Sequence, residues 1–124
     1  MDKRAFKAGE SIFRRGEQSD ELLLIRRGSV RIVLPLDAKQ SHHLATFGRG
    51  DFIGEMAFLD RAPRSADAIA FSDTEVYALS RQRFDTLLAE GHKRLAINLL
   101  EGLARMLAIR LRYTNSELRL LQLS

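Results

Sequence analysis

The chain of 124 residues has no cysteine. That absence excludes a disulfide framework, a thiolate metal centre and a cysteine nucleophile, and it fits a reducing cytoplasm. No apolar run approaches the roughly 20 residues that span a bilayer, and Met1-Asp2-Lys3-Arg4 leads into polar alternating sequence with no signal-like apolar core. Membrane insertion is not expected. Internal repeats, low-complexity tracts and linker-like stretches are missing too, so residues 1–124 read as a single domain. No nucleophile-base pair, metal constellation or triphosphate-binding glycine loop stands out, which points away from an enzyme. The net charge of +4 invites an anionic partner, but no helix-turn-helix or other groove-entering element accompanies it. Direct nucleic-acid binding is not expected.

What is present suits a small globular domain, with 45% hydrophobic and 29% charged residues. The first two-thirds read as short strands punctuated by turn residues. Ser11-Ile12-Phe13 lies between Gly9 and Gly16, Leu22 to Ile25 runs to Gly28, and Val30, Ile32 and Leu34 lead up to Pro35, which stops the strand. Further strands are expected from Leu44 to Phe47, Ser65 to Phe71 and Glu75 to Leu79. Such spacing implies an antiparallel β-roll or jelly roll over about residues 1–80, mainly β with flanking helices. Ser80 is a candidate N-cap for a short helix bearing Phe84, Leu87 and Leu88, which ends at Gly91. A long helix follows from about His92 to Leu121, its apolar residues falling in more than one stripe. Leu100, Leu103, Leu107 and Leu111 would be exposed on a projecting helix, so they are expected to meet a second subunit or close over a ligand.

The stretch that carries chemistry is Gly50-Asp51-Phe52-Ile53-Gly54-Glu55-Met56-Ala57-Phe58-Leu59, followed by Ala62-Pro63-Arg64-Ser65-Ala66. Gly54 permits close backbone approach, and Glu55 to Leu59 read as one helical turn whose first amides lack partners. Arg64 adds a planar fork of donors matched to phosphate oxygens, on a loop stiffened by Pro63. Glu55 would repel a phosphate but accepts a hydroxyl well. The pair suits a small ligand carrying both a phosphate and a sugar hydroxyl. A surface ion pair between Glu55 and Arg64 is the rival reading.

With its order of glycine, acid, aromatic, glycine and glutamate, and its Pro-Arg-Ser-Ala run, this segment (residues 50–66) resembles the phosphate-binding cassette of the cyclic nucleotide-binding domain family. The resemblance, which is to catabolite-activator-like modules, covers nearly the whole chain. It implies that Glu55 accepts the ribose 2′-hydroxyl, that Arg64 pairs with the cyclic phosphate, and that Gly54, Met56, Ala57 and Ser65 contribute backbone groups. The expected ligand is cyclic AMP, with cyclic GMP also compatible with Ser65. Arg105, Arg110, Arg112 and Tyr113 on the last helix are candidates to close over the base. The expected role is a cytoplasmic sensor, with no other cofactor and no metal, that reports occupancy through its C-terminal helix. Its partners would be a second copy or an attached effector domain of a larger protein.

Two alternatives remain at this level. A member of the family can keep the fold as a docking or dimerisation module without a nucleotide. A cupin-like enzyme shares the β-architecture, but neighbouring strand residues such as His42 and His43 face opposite ways and do not readily hold one metal.

Overall fold

The computed structural model describes the backbone of residues 2–123 and the side chains of residues 2–112. The chain divides into two compact units, Met1–Thr86 and Leu87–Ser124. In the first unit, β1 (Asp2–Phe6), β8 (Thr74–Leu79), β3 (Leu22–Arg27) and β6 (Phe52–Ile53) form one antiparallel sheet in that order. The second sheet has the order β2 (Ser11–Phe13), β7 (Asp67–Ala70), β4 (Ser29–Pro35) and β5 (Ser41–Gly48). Alternation along the strands explains the core. Thr74, Val76 and Ala78 of β8 are buried while Glu75 and Tyr77 face outward, and Leu23, Ile25, Val30, Ile53 and Ala68 join Val76 and Ala78 in the cluster between the sheets. This is the expected β-roll.

The boundaries differ from the sequence reading where pairing outweighs local pattern. β1 has the unpromising sequence DKRAF and is held by antiparallel pairing of Asp2 to Phe6 with Ala78 to Thr74. β6 is two residues long and forms against Leu23 and Leu24. β5 starts at Ser41 instead of Leu44 because the hairpin with β4 carries His42 and His43 into the ladder. β7 is the shorter Asp67–Ala70, and Pro35 is the last residue of β4, paired with Ser41.

Between β6 and β7 lies α1 (Glu55–Asp60), and α2 (Arg81–Ala89) follows β8. Ser80 caps α2 as expected, its Oγ accepting the Arg83 amide at 3.0 Å. Helix α3 (Lys93–Leu123) makes up most of the second unit. Its apolar residues are not exposed as one row. Leu103 and Ala96 are buried, Leu107 is half-buried, and Leu100 and Leu111 are exposed. At about 100° per residue, these five side chains follow one another around the helix in steps of about 20°, so the row drifts from the covered side to solvent. Leu95, Ile97 and Ile109 are exposed as well.

Candidate functional site

Gly54 begins the site. It stands before α1 with φ 78°, a left-handed conformation natural to glycine, and no side chain caps the helix N-terminus. Ala57 and Phe58 anchor the short helix in the interior, leaving Glu55 half-buried and Met56 exposed. Arg61, also left-handed, ends it by donating its amide to the Ala57 carbonyl at 3.0 Å.

The chain then turns through Pro63 to Arg64, which is stitched to the β2–β3 loop at its backbone. Its amide donates to the Glu17 carbonyl at 3.0 Å, and its carbonyl accepts the Gly16 amide at 2.8 Å. The side chain is only 5% exposed. Nη1 donates to the Gly54 carbonyl and Nη2 to Ser19 Oγ, each at 3.2 Å, while the guanidinium carbon lies 4.3 Å from the centre of the Phe13 ring. Its Nε, also buried, makes no hydrogen bond among the described residues.

Burial holds the Arg64 guanidinium below the ordinary arginine value, with the carboxylates of Glu21, Glu17, Glu55 and Asp20 pulling the other way. No ion pair of Arg64 within 4 Å occurs among the described residues, and its side chain is buried. The fit around the arginine is close. A Cβ on Gly54 would fall on Arg64 Nη1 and come within 3.1 Å of the Glu21 carbonyl.

Of the residues singled out from the sequence, Gly54, Glu55, Met56, Ala57, Arg64 and Ser65 come together in the first unit. Ser65 is exposed, its Oγ 3.9 Å from Met56 Sδ. Arg105, Arg110 and Arg112 belong to α3 in the second unit. There Arg105 pairs with Glu101 at 3.8 Å, and Arg110 Nη2 lies 3.2 Å from Met106 Sδ. The Tyr113 side chain lies outside the described residues. His43 Nε2 shares a hydrogen bond of 2.8 Å with Thr46 Oγ1, and no group of three metal-ligating side chains occurs among the described residues. No described helix is long and apolar enough to cross a membrane.

Sequence reasoning missed Phe13, Ser19 and Glu21. Phe13 reads as an ordinary core residue at the end of a strand, and only the fold shows that it floors the arginine. The signal for the others was the acidic, polar run from Glu17 to Glu21. In the fold, Glu21 also receives two hydrogen bonds from Arg4, at 2.8 and 2.6 Å, which hold its carboxyl below the ordinary range.

Comparison with known proteins adds the family. A model described as the cyclic nucleotide-binding domain matches residues 3–90. The chain is 38% identical over 121 residues to the cyclic AMP receptor protein of Thermus thermophilus, covering 98% of this chain and 54% of that protein. It is 34% identical over 92 residues to a cAMP-dependent protein kinase regulatory subunit of Debaryomyces hansenii, covering 73% and 19%. A cyclic nucleotide-binding domain from Methylobacillus flagellatus has the same fold, with a TM-score of 0.83 at 32% identity over 93% of this chain and 64% of that one. The chain thus spans about half the length of the Thermus relative and a smaller part of the kinase subunit. The family match takes in both sheets, the cassette and the helix after them, and the chain belongs to the cyclic nucleotide-binding domain family.

Proposed function

We propose that this domain binds cyclic AMP and passes its occupancy on through the C-terminal helix, to a second copy or to an effector region of a longer protein. The observation that carries this reading is the Arg64 guanidinium, nearly removed from solvent and without an ion-pair partner among the described residues, beside the uncapped start of α1. A cation kept in that state favours an anion more strongly than an exposed one does. In this reading Arg64 receives the cyclic phosphate with the backbone of Gly54, Met56, Ala57 and Ser65, and Glu55 accepts the ribose 2′-hydroxyl. Arg105, Arg110, Arg112 and Tyr113 are the candidates to cover the base.

Arg81 supports the relay. It donates from Nη1 to the Phe58 carbonyl of α1 at 3.2 Å, and its guanidinium lies 5.4 and 5.7 Å from the Phe58 and Phe84 ring centres. The two rings meet edge to face at 5.5 Å. Movement of α1 on binding would therefore be felt at the start of α2. The exposed Leu95, Ile97, Leu100, Ile109 and Leu111 favour a second reading, in which α3 is a docking face whether or not a nucleotide is bound.

Calorimetry on folded, ligand-free protein tests the proposal, with cyclic AMP, cyclic GMP and linear AMP as titrants. Cyclic AMP is expected to bind and linear AMP to bind much more weakly. The absence of binding by either cyclic nucleotide would refute the sensor and leave the docking module.

A further inference from the structure

Away from the cassette, the outer face of the β1-β8-β3-β6 sheet gathers cations in an unusual way. A β-bulge interrupts the β3–β8 register between Ile25 and Arg27, where Ile25 pairs with Val76 and Arg27 with Glu75. A regular strand would send Arg26 and Arg27 to opposite faces, but here both reach the same carboxylate. Arg26 Nη1 donates to Glu75 Oε2 at 3.0 Å and Arg27 Nη2 to Oε1 at 3.1 Å, with Lys3 Nζ 3.7 Å from Oε1. Arg49, on the loop beside them, makes no hydrogen bond or ion pair among the described residues. Three cations thus share one carboxylate, and a fourth, Arg49, lines the same cleft.

The ion pairs alone do not account for this arrangement. Arg26 and Arg27 are 47% and 70% exposed, and exposed pairs contribute little to stability, whereas crowding like charges opposes it. Each guanidinium spends one nitrogen on Glu75, so most of its donors face solvent. They rim a cleft of about 500 Å³ that also exposes parts of Leu24 and Tyr77, with the Arg26 guanidinium 5.9 Å from the Tyr77 ring centre. The donors that Glu75 leaves over face solvent, where acceptors of a bound partner can reach them.

We propose that this cleft is a docking site for an acidic peptide segment of a protein partner. Charge complementarity sets the sign of the partner. The cleft is large for a lone inorganic anion, and its apolar strip between cations matches a segment in which acidic and apolar side chains alternate. A lipid surface fits less well, because none of the large exposed apolar side chains belongs to this lining. The site uses none of the side chains assigned to the nucleotide.

The probe is a short fluorescein-labelled peptide of repeated Asp-Glu-Leu, titrated with the whole chain at low salt and followed by anisotropy. Saturable binding that weakens as salt rises is expected, and Arg49→Glu should weaken it about 10-fold or more. Arg27→Gln should weaken it less, and both variants should keep the wild-type melting temperature and cyclic AMP affinity. The proposal is overturned if the peptide does not saturate, or if both variants bind within about twofold of wild type. It is equally overturned if inorganic phosphate or phosphatidylserine vesicles displace the labelled peptide as well as unlabelled peptide does.

Discussion

Replacing Arg64 with alanine tests the site most directly. The wild-type side chain is already stripped of water, already held by the Gly54 carbonyl and Ser19 Oγ, and already stacked on Phe13, so little of its binding strength is lost to ordering. Loss of a buried charge partner to a phosphate weakens binding by about 2–4 kcal/mol, equivalent to a rise in Kd for cyclic AMP of about 30- to 700-fold. Arg64→Lys should fall between the two, because it keeps the charge but cannot span both acceptors while facing the ligand. Calorimetry gives the Kd values, and circular dichroism and thermal melts on the same samples separate lost binding from lost fold. A folded Arg64→Ala protein that binds cyclic AMP within about threefold of wild type would refute the assignment of Arg64 to the phosphate.

Three further outcomes are expected. Gly54→Ala combines the left-handed backbone cost of about 1–2 kcal/mol with a collision on Arg64 and should abolish binding, whereas Gly50→Ala, at φ 88° with open space around it, should show only the backbone cost in a denaturant titration. Arg4 holds Glu21 below the ordinary glutamate value of 4.5, so the stability from this pair is present above that pH and is lost as pH falls through the lower folded-state value. Melting temperatures of wild type and Glu21→Gln should accordingly differ at neutral pH and converge in acid. Ser65 is exposed, so Ser65→Ala should leave cyclic AMP affinity unchanged, and wild-type discrimination against cyclic GMP should be about 10-fold, or about 1.4 kcal/mol, in competition titrations.

The β-roll was legible because its strands alternate buried and outward residues between glycines, a pattern set by the pleat itself. What stayed hidden depended on distant partners. Asp2 to Phe6 have no strand signature of their own and become β1 only because β8 offers them a ladder. The cassette showed in the sequence because Gly54, Glu55 and Arg64 combine backbone freedom, a carboxylate and a guanidinium within a short span. Phe13 and Ser19 come from far earlier in the chain and reach Arg64 only once Gly16 and Glu17 are bonded to its backbone. On α3 the sequence shows a near-heptad apolar row, but it takes the helix's actual pitch to put Leu103 inside and Leu111 outside.

In the proposed site, the two charges of the cassette lead to the expectation that a phosphate alone is a poor ligand. Arg64 attracts an anion, yet Glu55 lies close enough to act on that same guanidinium, as do Glu17, Asp20 and Glu21. In the proposed site a phosphate would gain from one buried cation and be opposed by the Glu55 carboxylate. A ligand that brings a hydroxyl donor for Glu55 together with its phosphate turns that repulsion into a hydrogen bond to a charged acceptor, worth about 1.5–3 kcal/mol. The acidic surroundings of Arg64 thus act as a filter in the proposed site. They weaken inorganic phosphate while a ribose cyclic phosphate, whose hydroxyl and anion are fixed on one rigid frame, satisfies Glu55 and Arg64 together.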